Sequence, residues 1–282
     1  MALTVQTNVS SLGAQRNLYK NQKALNNSIN RLSSGLRVNT AADDAAGLAV
    51  SESMKAQIRS YTVAERNASD GVSMAQTAEG ALGQIHDILG RQRELAMQSS
   101  NGSLSNTDRG YLNTEYQQLN SEITRIQAST TFNGVALIGS GAATSTDFQV
   151  GLNAVAGTDN ISVNFNNINL GAVTGSSIAT LAGAQAALGT TAGTPGIIDA
   201  GIATVSSARA GFGAAMNRLD MATANIQTMR LNLAAANSRV VDVDVADETA
   251  QLSKNQVLTQ AGVSVLAQAN GLPQLAFGLI GH

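Results

Sequence analysis

Large apolar residues recur every seven positions in the stretch 198–240. Positions three residues further on carry smaller or flexible apolar side chains, so the apolar spacing alternates between three and four residues. This spacing is typical of a long helix that packs one face into a helical bundle or coiled coil. We therefore predict a helix here, and its bundle core is expected to contain Val205, Phe212, Leu219, Ile226, Leu233 and Val240.

A second long helix is predicted from residue 44 to residue 98. Its apolar positions between Val50 and Leu89 lie about 3.5 residues apart on average, which is the coiled-coil interval. Three glycines inside it each weaken a helix by roughly 1 kcal/mol relative to alanine. An unbroken helix of this length spans roughly 80 Å, whereas a compact ball of this chain length is about 50 Å across. The pattern therefore predicts an elongated molecule.

Each end of the chain carries a narrower seam, meaning a stripe of apolar residues along one helix face. The N-terminal seam contains Leu25, Ile29 and Leu32, and the C-terminal seam contains Leu258, Val265 and Leu272. Turn-forming residues at 33–35 and 39–40 separate the first seam from the second helix, whose N-terminus Thr40 or Asp43 can cap. The alternating stretch 241–245 likewise separates the C-terminal seam, so the two ends are predicted to be units of their own.

Between the long helices the pattern changes twice. A third helix is predicted around Leu112–Ile126, and Asn133-Gly134 is a hairpin turn signal. Alternating apolar residues near 148–152 and 161–165 predict two short strands with one buried face. Residues 140–208 hold only three charged residues and much Gly, Ala, Ser and Thr. This composition predicts an accessory or surface segment that buries little per residue.

The composition excludes several classes of function but does not by itself indicate a particular one. The 282 residues carry 17 basic and 19 acidic side chains, for a net charge of −2, which speaks against a nucleic-acid partner. There is no cysteine, which excludes disulfides, thiolate metal sites and a cysteine nucleophile. No apolar run approaches the ~18 residues of a membrane span. The N-terminus lacks the features of a cleavable signal peptide, so the chain is expected to be cytoplasmic or exported with an intact N-terminus.

No residue set in the sequence forms a convincing catalytic or metal site. His86 has no second histidine, cysteine or carboxylate four residues further on, so a packed or surface histidine is favoured over a metal ligand. Asp242 and Asp244 alternate with valines, and solvated charges near a joint are favoured over a metal pair. We therefore expect no enzymatic activity, no cofactor and no bound metal.

Several ordered motifs together identify a family. The N-terminal part contains the stretches 32–39 (LSSGLRVN), 42–49 (ADDAAGLA), 93–96 (RELA) and 131–134 (TFNG), and the C-terminal part contains 237–239 (NSR) and 260–270 (QAGVSVLAQAN). In these motifs the chain resembles bacterial flagellin, the subunit of the flagellar filament. The middle of the chain shows no such resemblance and is short, so large outer domains are expected to be missing.

The resemblance implies a mainly α fold: an elongated antiparallel helical bundle or coiled coil with a small β-hairpin region and a discontinuous domain built from both ends. Residues 1–42 with 244–282 would form the inner tube of the filament. Residues 43–243 would form the outer tube, including a variable β or irregular insertion at 140–197. Because each terminal seam is narrow, the ends are expected to become ordered only when neighbouring copies cover them.

The resemblance also implies partners and a location. The chain would assemble with itself in an extracellular flagellum used for swimming, after export without a cleaved signal peptide. Expected partners are an export chaperone at the C-terminal segment, hook–filament junction proteins and cap proteins, with no nucleic acid and no membrane insertion. A hook–filament junction protein is the alternative from the same class, and a coiled-coil signalling scaffold is the alternative from a different one.

A charged stretch on the second helix has two interpretations. Packing and salt bridges between subunits are the favoured role of Arg91, Arg93 and Leu95. The resemblance also places Arg91, Leu95 and Glu115 at positions where the Toll-like flagellin receptor contacts family members. Gly90 departs from the glutamine found there in strongly recognised members.

Overall fold

The computed structural model describes residues 7–139, 142, 145–155, 157–165, 168–189 and 195–280; for 272–280 only the backbone is described. Helices dominate this part of the chain, which confirms the mainly α prediction. The helices are α1 (Val9–Ser34), α2 (Ala45–Ser99), α3 (Asn106–Ser129), α4 (Gly171–Thr174), α5 (Leu181–Leu188), α6 (Ile197–Val241) and α7 (Val245–Ile280). The strands are β1 (Thr131–Phe132), β2 (Val135–Ala136), β3 (Thr146–Gln149) and β4 (Asn160–Val163).

The chain divides into two compact units. Unit 1 is discontinuous and contains Met1–Ile58 and Leu231–His282, whereas unit 2 contains Arg59–Arg230. The sequence predicted a discontinuous terminal unit with boundaries after residues 42 and 243. Where the inner and outer tubes of a filament would separate stays a prediction, because the division within one chain does not test it.

The second helix is continuous, as its apolar spacing predicted. Helix α2 runs for 55 residues without a break, through all three of its central glycines. Its N-terminus differs from the prediction, because neither Thr40 nor Asp43 caps it. The Asp44 carboxylate immediately before the helix accepts a hydrogen bond from the Gly47 amide at 2.9 Å instead.

The core of unit 2 is built around α2 and α6. Helix α6 is 45 residues long. The first four of its six predicted core residues are buried against the small residues and leucines of α2. The ring of Phe212 lies with its centroid 5.4 Å from that of Phe165. Leu233 and Val240 do not belong to this core and are only half-buried, so the core prediction holds for Val205, Phe212, Leu219 and Ile226.

The prediction that the middle segment buries little is wrong for its described part. Val163, Phe165, Leu170, Val173 and Ile178 are all almost inaccessible to solvent. The prediction relied on the average composition of this segment, which is low in charge and rich in small residues. Its few large side chains nevertheless point into the core of unit 2, where they pack against the long helices.

Both predicted β elements are present. Strands β3 and β4 pair antiparallel with Phe148 opposite Ile161, and both of these side chains are buried. Strands β1 and β2 form a second antiparallel pair. Its two loop residues have positive φ, 48° at Asn133 and 80° at Gly134, which fits the type I′ turn that favours the Asn-Gly sequence.

Candidate functional site

Helices α1 and α7 of unit 1 lie side by side and run in opposite directions. The Asn8 side-chain amide, just before α1, donates a hydrogen bond to the Ala269 carbonyl at 2.8 Å. The Ser11 hydroxyl donates to Asn270 Oδ1 at 2.6 Å. At the other end of α1, Arg31 lies 3.8 Å from a carboxylate oxygen of Glu248 in the first turn of α7. Contacts at both ends therefore define this terminal pair, as we call α1 with α7.

The two helices meet through five leucines and a larger number of small and polar side chains. On each helix the covered positions are spaced three and four residues apart, and we call these surfaces the inner faces. The inner face of α1 contains Ser11, Ala14, Leu18, Asn21, Leu25, Ser28 and Leu32. That of α7 contains Glu248, Leu252, Asn255, Thr259, Gly262, Leu266 and Ala269.

The lack of a side chain at Gly262 permits a close approach of the two helices. A Cβ placed there would lie 3.2 Å from Leu18 Cδ1, which is tighter than an ordinary contact. Nine of the fourteen inner-face positions are polar or lack a large side chain. The contact between α1 and α7 therefore removes only a modest apolar area from water, and apolar burial is the main driving force for folding.

Large apolar side chains lie on the other surfaces of the pair. Tyr19 is 73% exposed and Val265 is 57% exposed, values far above those of a core residue. The remaining large apolar residues that are exposed among the described side chains of α1 and α7 are Val9, Leu12, Ile29, Val245, Val257, Leu258 and Val263. Such a surface marks an interaction site, since exposed apolar patches on monomers are usually small.

The residues of the predicted seams lie on two different surfaces of the terminal pair. Leu25 and Leu32 are half-buried on the inner face of α1, whereas Ile29, Leu258 and Val265 are exposed. The side chain of Leu272 lies outside the described residues. In α7 the predicted seam is therefore a different stripe from the one that faces α1, and that stripe is free to contact another chain.

A joint connects the terminal pair to the segments beside it. Gly35, with a φ of 71°, ends α1 in the left-handed conformation. The Arg37 backbone amide donates to the Val241 carbonyl at 2.6 Å, and the Val243 amide donates to the Gly35 carbonyl at 3.1 Å. The Arg31 guanidinium lies 3.8 Å from the Asp43 carboxylate as well as from Glu248. These contacts hold the segment that follows α1 against the segment that precedes α7.

Two acidic residues of the joint, Asp43 and Asp244, accept hydrogen bonds from nearby groups of the chain. Asp244 accepts hydrogen bonds from the amides of Ala246 and Asp247 and so caps α7. Asp43 accepts hydrogen bonds from the amide and hydroxyl of Thr40, and these bonds hold the pKa of its carboxyl below the usual value. The described residues contain no group of metal-binding side chains that could hold an ion.

The charged stretch of α2 forms its ion pairs within the chain. Arg91 donates to Glu115 and to Glu94, both at 2.9 Å, and these bonds raise the pKa of its guanidinium. Arg93 donates to Asp199 at 2.8 Å. Arg91 and Arg93, which were predicted to form salt bridges with another subunit, thus form ion pairs within this chain.

Leu95 does not lie on that charged surface. It is 1% exposed and packs in a core cluster of unit 2 with Tyr116 and Ile178. Its predicted role as a surface contact for a receptor or a neighbouring subunit is therefore wrong in this conformation. The surface that remains consists of Arg91, its two carboxylate partners and Arg93.

Sequence analysis missed a buried polar network beneath this surface. The Gln92 amide donates to Asn120 Oδ1 at 2.8 Å, and the Tyr116 and Ser176 hydroxyls lie 2.6 Å apart. Burial raises the pKa of the Tyr116 hydroxyl. Nearby, the buried guanidinium of Arg109 donates to the Ser99 carbonyl at 2.8 Å and closes the turn after α2. The sequence does contain a signal for this network, because Gln92 follows Leu89 by three residues and so occupies a position where the helical spacing predicts a buried residue.

None of the described helices combines the length and the apolar character that a membrane span requires. His86 is half-buried and its Nδ1 atom has no hydrogen-bond partner among the described residues.

Comparison with known proteins gives consistent matches along the whole chain. Residues 5–143 match the profile of the bacterial flagellin N-terminal helical region, and residues 196–280 match that of the C-terminal helical region. A flagellin of Halalkalibacterium halodurans is 40% identical over 99% of this chain and 100% of its own. A flagellin of Bacillus subtilis is 38% identical with the same coverage. The crystal structure of Bacillus cereus flagellin aligns with a TM-score of 0.50 at 32% identity, covering 61% of this chain and 94% of that one.

Proposed function

The chain belongs to the bacterial flagellin family, and from this membership we infer that it is a structural subunit that self-assembles into the helical filament of an extracellular flagellum, which serves swimming motility. The observation that carries the inference is the terminal pair. Its helices cover small and polar residues between them and leave large apolar residues exposed. A repeated contact between copies that does not close on itself produces an open helical polymer.

We propose that assembly and ordering of the chain ends are coupled. Fixing one residue costs about 1–2 kcal/mol of conformational entropy, before any side chain is held. Apolar burial returns about 25 cal/mol per Å², and the inner faces of the pair supply little apolar area. Neighbouring copies that cover Val257, Leu258 and Val265 would supply the remaining area. The helices of the terminal pair are then the form that the ends take in the filament.

Charging the exposed stripe of α7 is the direct test of this function. We expect the double variant Leu258→Asp/Val265→Asp to raise the critical concentration for polymerisation at least about 100-fold. The reason is that each carboxylate would have to be buried without a partner, which costs several kcal/mol. Sedimentation of filaments formed under salting-out conditions measures the effect.

The control carries the same added charge on the same helix at polar, exposed positions. Gln251→Asp/Gln256→Asp should polymerise within a few-fold of the unmodified chain, because surface substitutions of this kind change little. Unimpaired polymerisation of Leu258→Asp/Val265→Asp would show that this stripe is not an assembly surface.

We extend the proposal to the other expected partners. A subunit with such exposed ends would polymerise prematurely, so an export chaperone that holds the C-terminal segment fits the exposed stripe of α7. Junction and cap proteins would contact the filament at its two ends. Export would leave the N-terminus intact, and a subunit that works by packing would need neither enzymatic activity nor a cofactor. Full-length relatives named flagellin favour this role over a junction protein or a signalling scaffold.

We also propose that a Toll-like flagellin receptor contacts the free subunit at Arg91 and Glu115. Both side chains are about half-exposed. Since Leu95 is buried, charge rather than an apolar anchor would carry the contact. Arg91→Ala is expected to raise the concentration of monomer needed for half-maximal receptor signalling at least about tenfold, as for an arginine at the centre of an interface.

The matched control for that variant is Arg125→Ala. Arg125 is also exposed and paired with a carboxylate on its own helix, Glu122, and lies on α3 away from the candidate contact. Loss of either surface ion pair should cost at most about 1 kcal/mol of stability. Equal signalling by Arg91→Ala and Arg125→Ala would remove Arg91 from the receptor site.

A further inference from the structure

The outer face of α1 combines basic and apolar side chains on one stripe. Val9, Leu12, Arg16, Tyr19 and Lys23 follow each other at intervals of three and four residues, and all are exposed. Residues with this spacing share one side of a helix, and it is the side opposite the inner face. Lys20, also exposed, borders the same stripe. We call these six residues the basic face of α1.

The charges of this face have no counterpart in the chain. Residues 1–42 contain five basic residues and no acidic one. Arg31 lies beside Asp43 and Glu248, and Arg37 donates to the Val240 carbonyl at 2.6 Å. The other three basic residues, Arg16, Lys20 and Lys23, form no ion pair within the described part of the chain.

The terminal helices of a second copy offer little compensating charge, because their only carboxylates in the described part are Asp247 and Glu248 in the first turn of α7, and Glu248 already lies beside Arg31. Between residues 249 and 269 the single charged residue of α7 is Lys254, and α1 itself is basic. Stacking terminal pairs on this face would therefore bring like charges together. The chemistry of the face requires a partner that is anionic and accepts apolar side chains at the same time.

An anionic lipid surface has both properties. Phosphate headgroups attract arginine and lysine, and the boundary below them accepts side chains such as leucine and tyrosine. Nucleic acid would neutralise the cations but would leave the aliphatic side chains of Val9 and Leu12 without a partner. We propose that the basic face of α1 binds anionic phospholipid bilayers when the subunit is free. Since the proposed function orders the chain ends only in the filament, the lipid surface would take the place of neighbouring copies, and α1 would form in the headgroup plane without crossing the membrane.

The strength of such binding follows from the number of charges. Each lysine or arginine held near an anionic leaflet strengthens binding by about fivefold, and salt screens the attraction. Replacing lysine by glutamate removes one attraction and adds a repulsion. Lys20→Glu/Lys23→Glu is therefore expected to weaken binding at least about 25-fold. Leu12→Ser/Tyr19→Ser should weaken it as well, with the salt dependence retained.

The experiment uses freshly depolymerised full-length subunits below the concentration at which they polymerise. Binding is measured by co-sedimentation with vesicles of phosphatidylglycerol and phosphatidylcholine, and with vesicles of phosphatidylcholine alone. The matched control is Arg66→Glu/Lys254→Glu, which makes the same charge change at two exposed residues outside the basic face. Far-ultraviolet circular dichroism of each variant checks that the helices are retained.

The expected result is salt-sensitive binding to the phosphatidylglycerol vesicles, unchanged within about twofold in the control and lost in Lys20→Glu/Lys23→Glu. Equal binding to both vesicle types, equal binding by both charge variants, or no binding would overturn the proposal. So would a Lys20→Glu/Lys23→Glu chain that binds vesicles normally but no longer polymerises, because the face would then belong to a second copy. Polymerisation of the unmodified chain is measured separately, so failure of the proposed function remains distinguishable.

Discussion

A chain that lacks residues 244–282 is expected to form no filaments under salting-out conditions in which the full-length chain polymerises. The deletion removes all of α7, including its exposed apolar stripe, and leaves the inner face of α1 uncovered. Interfaces between copies then lose one of the two helices that would form them. Electron microscopy of negatively stained samples and sedimentation of the polymer measure the outcome.

The same deletion should leave unit 2 folded, since Arg59–Arg230 has its own buried core. Cooperative thermal unfolding of the shortened chain is the control that separates failed assembly from failed folding. If the shortened chain is folded and still forms normal filaments, the role proposed for the terminal pair is wrong.

Phe212→Ala is expected to reduce the free energy of unfolding by about 3–5 kcal/mol, the range for removing a buried aromatic ring. The Phe212 ring is buried among α2 and the middle segment and stacks at a tilt on Phe165. Truncation at this point opens a cavity that long, rigid helices cannot collapse to fill. Urea unfolding of the monomer, followed by circular dichroism, measures the change.

The control on the same helix is Met221→Ala, because Met221 is 72% exposed. It should change the free energy of unfolding by less than about 0.5 kcal/mol. Similar losses in the two variants would mean that Phe212 does not pack as the structure places it.

The long helices could be predicted because their pattern is local. In α6 the seven-residue interval persists over more than 40 positions, and proline is absent from both α2 and α6. The same repetition could not show where burial stops. Leu233 and Val240 keep the interval but have fewer neighbours to cover them, since burial depends on the other elements rather than on the helix itself.

The middle segment shows the opposite case. Its average composition predicted exposure, yet Phe165, Leu170 and Ile178 complete the core of unit 2. A few large side chains in an irregular segment are enough to complete a core. Their positions follow no regular spacing in the sequence, so a search for helical or strand periodicity does not detect them. Tertiary contacts over long sequence separations decide this, as with the Ser99 hydroxyl, which donates to the Ile178 carbonyl at 2.7 Å.

The sequence predicted that both terminal helices carry an apolar stripe, but it did not predict which stripe of α7 faces α1. Two stripes of α7 are compatible with an interval of three and four residues, and the sequence favoured the one that holds the larger side chains. The structure turns the smaller and more polar stripe toward α1 because Gly262 permits a close approach there. Leu95 was misplaced for a related reason. The apolar stripe of α2 was followed only to Leu89, although it continues past Gln92 to Leu95 and Ala96, which are buried.

The antiparallel pairing of α1 with α7 has a practical consequence for labelling. Because Asn8 lies beside Ala269, α1 begins next to a point about three turns before the end of α7. An affinity tag or fluorescent fusion at either terminus would therefore crowd the same end of the terminal pair. The exposed loop around Asn153 in unit 2 is a better place for a label.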